Sequence, residues 1–116
     1  MPSIAFLDAF ADAWNRGDVD AIMSSMTEDC VFVTSGGDRF EGQAVVREVF
    51  EDVVSSFKDL TFKDPKHIVD GDRGMTEWLF CGTDVEDGEA MEVEGCDVFT
   101  FRDGPIAVKN TYMKAG

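Results

Sequence analysis

The stretch EAMEVEGCDVFTFRDGPIAVKNTYM, residues 89–113, decides the fold. Successive side chains of an extended chain point to opposite faces. Met91, Val93, Gly95, Asp97, Phe99 and Phe101 therefore share one face, and Glu92, Glu94, Cys96, Val98 and Thr100 the other. The first set is apolar apart from Asp97, so it is the face turned to a core or pocket. Arg102-Asp103-Gly104 is a tight hairpin signal, and Pro105–Met113 is the strand that runs back. Upstream lie two more long strands, Leu60–Val69 and Met75–Thr83, joined by a turn over Asp70–Gly74. Pro65 interrupts the first of them, which suits an edge strand or a bulge.

The N-terminal half has the helical period instead. Ile4, Phe6, Leu7, Phe10, Ala11 and Trp14 recur at three-to-four spacing. Ser3 is placed to cap this helix and Gly17 to stop it. Asp18 caps a short second helix, Val19–Met26, and Cys30–Thr34 is a β-branched strand. Ser35–Asp38 turns into a short return strand, Arg39–Glu41. Gly42 opens a third helix, Gln43–Phe57, with Val45, Val46, Val49, Phe50, Val53, Val54 and Phe57 on its apolar face. Helix, helix, hairpin, helix and then a meander of long strands is α+β: a curved, mostly antiparallel sheet with the helices on one face.

One domain over residues 1–116 accounts for the length. With 44% apolar and 29% charged residues the chain is globular rather than disordered. No apolar run reaches the roughly 20 residues of a membrane span, and the start lacks the pattern of a signal peptide, so a cytoplasmic location is expected. Ten basic against 24 acidic residues give a net charge of −14. That disfavours nucleic acid and anionic membranes as partners. Three cysteines without CxxC spacing disfavour a zinc or disulfide framework, and one histidine excludes sites that need two from one chain. There is no phosphate-binding glycine loop and no metal-ligand cluster, so no cofactor is expected. Asp84, Glu86, Asp87 and Glu89 crowd a hairpin tip without calcium-loop spacing and read as a solvated loop.

Four segments, FADAWNRGDVDAIMSSMTEDCVF (10–32), FEGQAVVREVF (40–50), VDGDRGMTEWLFCGT (69–83) and GCDVFTFRDGPIAVKNTYMK (95–114), resemble in order and spacing the SnoaL-like branch of the nuclear transport factor 2-like superfamily. The resemblance implies a cone-shaped barrel, its sheet wrapped around three helices, with a pocket between sheet and helices and a homodimer packed through the outer sheet face. It leaves function open, because one fold hosts many chemistries. The Asp97 segment is similar to the one where ketosteroid isomerases carry a protonated aspartic acid. Phe10 and Thr34 stand where those enzymes have a tyrosine and a general-base aspartate, so that mechanism is not expected. Trp78 and Phe80 replace the arginine and aspartate of limonene epoxide hydrolases. The paired histidines of scytalone dehydratases cannot be built here.

What remains is a different set. A three-residue loop pairs Phe101 with Pro105, and counting back sets Asp97 opposite Lys109, both pointing inward with Ala107, Thr111 and Met113. A one-residue slip would turn Asn110 and Tyr112 inward instead. Paired with Lys109, Asp97 stays ionised and is the leading candidate base, with Lys109 or His67 assisting. The plainer readings are a structural carboxylate, a lysine emerging at the sheet edge and a half-exposed strand histidine. Phe10, Trp14, Phe50, Trp78, Phe80 and Phe99 are the expected pocket lining. Thr34 and Thr111 are added to it, although Thr34 reads more readily as a simple strand former than as a ligand contact. Leu79, Cys81, Cys96 and Val98 give the outer sheet face an apolar component that asks for cover, and the resemblance implies that a second copy of the chain supplies it. The functional expectation is a dimer that binds a small apolar carbonyl or hydroxyl compound and, if catalytic, performs cofactor-free isomerisation, cyclisation, dehydration or hydrolysis. A non-catalytic binding module and a protein-interaction dimer are the alternatives.

Overall fold

The structure is a computed structural model that describes residues 2–114. Ser3 Oγ accepts the Phe6 N–H at 3.1 Å and starts α1 (Ile4–Arg16). Gly17, at φ +66°, ends it in the left-handed conformation that glycine adopts without strain, donating its N–H to the Trp14 carbonyl. Asp18 caps α2 (Val19–Ser24) by accepting the Ala21 N–H. This helix stops before Met26, which instead opens β1 (Met26–Val33). β2 (Arg39–Glu41) returns antiparallel. α3 (Gln43–Ser56) follows, and the Gln43 amide donates to the carbonyls of Met23, Met26 and Thr27 at 3.0–3.1 Å, tying α3 to the α2–β1 junction. Val45 was expected on the buried side of α3 but is 45% exposed; Val46 and Phe50 carry that face.

The second half is β3 (Phe57–Asp70), β4 (Arg73–Asp84), β5 (Ala90–Phe101) and β6 (Ile106–Met113). The strands form one sheet in the order β2-β1-β6-β5-β4-β3. β1 and β6 run parallel and the other neighbours antiparallel. β2 and β3 are the two edges, so the cone is an open curved sheet rather than a closed barrel. Curvature is built in by bulges, which bend the strand that carries the extra residue. β3 has two, between Lys58 and Thr61 and between Lys63 and Lys66, with Asp59 and Asp64 at positive φ. Pro65 sits in the second, where its missing N–H removes nothing from the ladder.

The helices pack into the concave side. Leu7, Phe10, Ala13 and Trp14 of α1, Ile22 and Met23 of α2, and Val46 and Phe50 of α3 meet Phe32, Phe99, Phe101 and Ile106 of the sheet. The aromatics engage edge to face: Trp14 with Phe50 at 4.8 Å, Phe32 with Phe50 at 5.0 Å, and Phe10 with Phe99 at 5.8 Å. Each fully buried aromatic stabilises the fold by about 1.5–3 kcal/mol. Met91 and Met113, on the inward-facing sets by alternation, are 40% and 42% exposed; they stand near strand ends, outside the buried cluster.

The β5–β6 hairpin differs from expectation in an instructive way. Phe101 pairs with Ile106, not Pro105, so the loop has four residues. Pro105 has no N–H to give; its carbonyl instead accepts the Arg102 N–H at 2.9 Å. A bulge then places Thr100 opposite Val108, leaving Ala107 unpaired. One residue from the loop and one from the bulge shift the register by two. Asp97 therefore faces Thr111, and Lys109 faces Phe99. An even shift preserves which face each side chain occupies.

Candidate active site

Asp97, Lys109 and Thr111 are all buried, at 5%, 5% and 6% exposure. Lys109 Nζ lies 3.0 Å from Asp97 Oδ1 and also donates to Thr111 Oγ1 at 3.1 Å. The Thr111 hydroxyl donates to the same Oδ1 at 2.6 Å. Across the sheet on β4, Trp78 Nε1 donates to Asp97 Oδ2 at 3.0 Å. Asp97 thus takes two bonds on one oxygen and one on the other, and Oδ2 keeps acceptor capacity. Lys109 is also enclosed by aromatic faces. Its Nζ is 4.7 Å from the Phe32 ring centre, 5.4 Å from Trp14 and 5.7 Å from Phe50. Ring quadrupoles and a hydrogen-bonded carboxylate together compensate a charge that burial alone would not permit.

A cavity opens beside this cluster, walled by Leu7, Phe10, Trp14, Phe62, Trp78 and Phe99 and carrying Thr76 and Asp97 as its polar groups. Ala11 and the exposed Pro65 complete it where α1 meets the β3 bulge. Its volume is about 20 Å³, room for about one water molecule. Trp14, on this wall, has a buried indole Nε1 with no hydrogen-bond partner among the described residues. Such a donor costs about 1–3 kcal/mol when left unsatisfied.

Among the residues expected in the pocket, Phe10, Trp14, Trp78 and Phe99 line the cavity and Thr111 stands behind Asp97. Phe50 is fully buried one layer deeper, against Trp14 and Phe32. Phe80 packs on Phe57 and Phe62 instead of the cavity. Thr34 lies beyond the end of β1, where its Oγ1 accepts the Asp38 N–H at 3.1 Å; it belongs to the β1–β2 turn and not to the site. His67 does not touch the cavity. Its Nδ1 is 2.8 Å from Thr76 Oγ1 and its Nε2 is 2.8 Å from Asp8 Oδ1. Thr76, Phe62 and Asp8 were not singled out from the sequence. Alternation from Trp78 already puts Thr76 on the inner face, whereas nothing local marks Asp8 as the partner of a histidine 59 residues away.

Neither Cys30 nor Cys96 is an activated nucleophile. Burial pushes Cys30 up from the ordinary thiol range, and burial, then the Asp97 and Glu77 charges, push Cys96 up. Among the described residues no three His, Cys, Asp or Glu side chains gather as a metal site. No helix among them is long and apolar enough to cross a membrane.

Helices seated in an open, bulged, curved sheet define the nuclear transport factor 2-like class of fold. The chain belongs to the SnoaL-like family, whose domain model matches residues 7–109. Among solved structures it resembles a candidate polyketide cyclase from Xanthomonas campestris, with 25% identity and a TM-score of 0.84 over 93% of this chain and 87% of that one. A second candidate polyketide cyclase, from Pseudomonas putida, superposes with a TM-score of 0.89 at 22% identity, over 97% and 91% of the two chains. SalBIII, an epoxide hydrolase/cyclase-like enzyme of pyran ring formation in the polyether salinomycin, gives 26% identity and a TM-score of 0.83 over 95% and 88%. No curated protein matches the sequence.

Proposed function

We propose that the protein binds a small, mostly apolar carbonyl or hydroxyl compound at the Asp97 cavity and performs cofactor-free acid–base chemistry on it, of the isomerase or cyclase kind. The observation that carries this is the pairing of a buried carboxylate with an unsatisfied donor on one aromatic wall. Asp97 can take a proton, and Trp14, which lines the same cavity, has a buried indole N–H without a partner among the described residues. Lys109 holds Asp97 in place, and Thr111 and Trp78 fix its orientation. The cyclase character of two of the structural relatives agrees with this chemistry. A positioned general base of this kind contributes about 10²–10⁴-fold to rate. Entry of a ligand requires the rim at Phe62 and Pro65 to draw back, because the resting cavity is far below the roughly 300–1,000 Å³ of ordinary ligand sites.

That small volume favours a second reading, in which the cone is filled by its own side chains and the protein works as a non-catalytic interaction dimer. In both readings a second copy covers the outer sheet face, where Leu79, Cys81, Cys96 and Val98 are half-exposed and Tyr112 is exposed. The free cysteines fit a reducing, cytoplasmic setting. A thermal-shift screen of aromatic ketones, terpenoids, steroids and polyketide-like aromatics, on wild type and Asp97→Ala, separates the readings. A rise in melting temperature in wild type that vanishes in the variant supports the cavity reading. No rise with any class supports the filled cone.

A further inference from the structure

We propose that Asp8 and His67 make the Thr76 hydroxyl a second acid–base group of the cavity, facing the same space as Asp97. The proposal rests on the reading of the cavity as the reaction site. Thr76 lies on β4, buried, among the residues that line the cavity. It is paired directly with Asp97 in the β4–β5 register and with His67 in the β3–β4 register, so a carboxylate, a hydroxyl and an imidazole stand in one row across three strands. The His67 side chain is only 3% exposed, and both ring nitrogens are engaged at 2.8 Å, one by Thr76 Oγ1 and one by Asp8 Oδ1. Asp8, on α1, is 64% exposed and meets solvent. The imidazole is therefore sealed between the cavity wall and a surface carboxylate.

The donors and acceptors fix a direction. A carboxylate only accepts, so His67 Nε2 carries the proton and donates it to Asp8. In the neutral imidazole Nδ1 is then the acceptor and takes the Thr76 O–H. This leaves the lone pairs of Thr76 Oγ1 for a molecule in the cavity. The order carboxylate, imidazole, hydroxyl is that of hydrolytic triads, with the two ring nitrogens exchanged. A proton leaving a bound hydroxyl is taken up by Thr76 Oγ1 as its own proton passes to His67 Nδ1, and the resulting imidazolium is held by the Asp8 carboxylate. The reverse passage returns the proton through Thr76 to another atom of the same molecule. Within the row itself only O–H and N–H bonds are made and broken, and the row ends in its starting state. Thr76 is the group that touches the bound molecule; His67 and Asp8 are positioning residues. With Asp97 serving one atom and Thr76 another, the cavity suits a reaction that moves a proton between two positions of one compound.

The chain has a single histidine and two tryptophans, Trp14 and Trp78, both on the cavity wall. Nitrogen-15 NMR therefore reads the row and the cavity separately, and phenol serves as the probe. The expected result is an Nε2-protonated imidazole in wild type, a tautomer preference lost in Asp8→Ala, and movement of both indole and imidazole resonances on adding phenol. Thr76→Val should keep the indole response and lose the imidazole response, and Thr76→Ser should restore it. An Nδ1-protonated imidazole, or an imidazole that ignores phenol while the indoles respond, overturns the proposal. If no indole responds to phenol, the cavity reading fails and the proposal falls with it, whichever tautomer the imidazole shows.

Discussion

Lys109 and Asp97 stabilise the centre of the cone only as a pair. Lys109 Nζ has the carboxylate at 3.0 Å, a hydroxyl at 3.1 Å and three aromatic rings around it. Removing one partner leaves the other charge buried without compensation, which costs about 3–5 kcal/mol. Lys109→Met should lower stability by that amount in urea denaturation. The double variant Lys109→Met/Asp97→Asn should recover most of the loss, because the amide oxygen can accept from Trp78 while its NH2 donates to the Thr111 hydroxyl. A double variant no more stable than Lys109→Met would show that the cost arises from packing and not from the unpaired charge. The inward stripe of residues 91–101 made Asp97 legible as a buried carboxylate, and alternation made Lys109 legible as its partner. The distance between them was not legible, since it depends on a loop and a bulge that together displace the register by two residues.

At the scale of elements, the sheet positions the site through one absent side chain. Trp78 and Gly95 are direct partners in the β4–β5 register, and a Cβ at Gly95 would come within 2.7 Å of the Trp78 ring and against the Tyr112 carbonyl. The indole that orients Asp97 lies over this glycine. Gly95→Ala should displace it, costing about 1–3 kcal/mol in stability and altering Trp78 fluorescence. An unchanged emission spectrum and melting temperature would show that the strand absorbs the methyl group elsewhere. The helices were legible to within a residue or two because caps and periodicity are local: Ser3, Gly17, Asp18 and Gly42 stand where α1, α2 and α3 begin or end. The strand bulges were not, apart from the one marked by Pro65. A bulge is a relation between two strands, and only proline leaves a trace of it in one. Thr34 shows the same limit from the other side. Its β-propensity extends the strand pattern, but its hydroxyl is drawn into the turn by Asp38.

For the whole molecule, a net charge of −14 makes the acidic side chains the main determinants of pH response. The Ala21 N–H first, then Arg16, holds Asp18 below the ordinary carboxylate range; Arg102 does so for Asp29 and Lys114 for Glu94. A carboxylate whose folded value is depressed contributes stability that is full above its unfolded value and is lost as pH falls through the folded one. Asp18→Asn should therefore melt below wild type near neutral pH, and the difference should shrink below about pH 4. A difference that grows in acid would contradict the capping role. The cone itself, seated on three helices and wrapped by six strands, places one carboxylate in an aromatic interior, and base chemistry by Asp97 is the central claim. Deuterium incorporation at the α-carbon of acetophenone in D₂O, followed by proton NMR, tests it most directly. The account predicts exchange above the buffer rate with wild type and exchange at the buffer rate with Asp97→Asn. Exchange at the buffer rate with wild type, or equal exchange with both proteins, would contradict it.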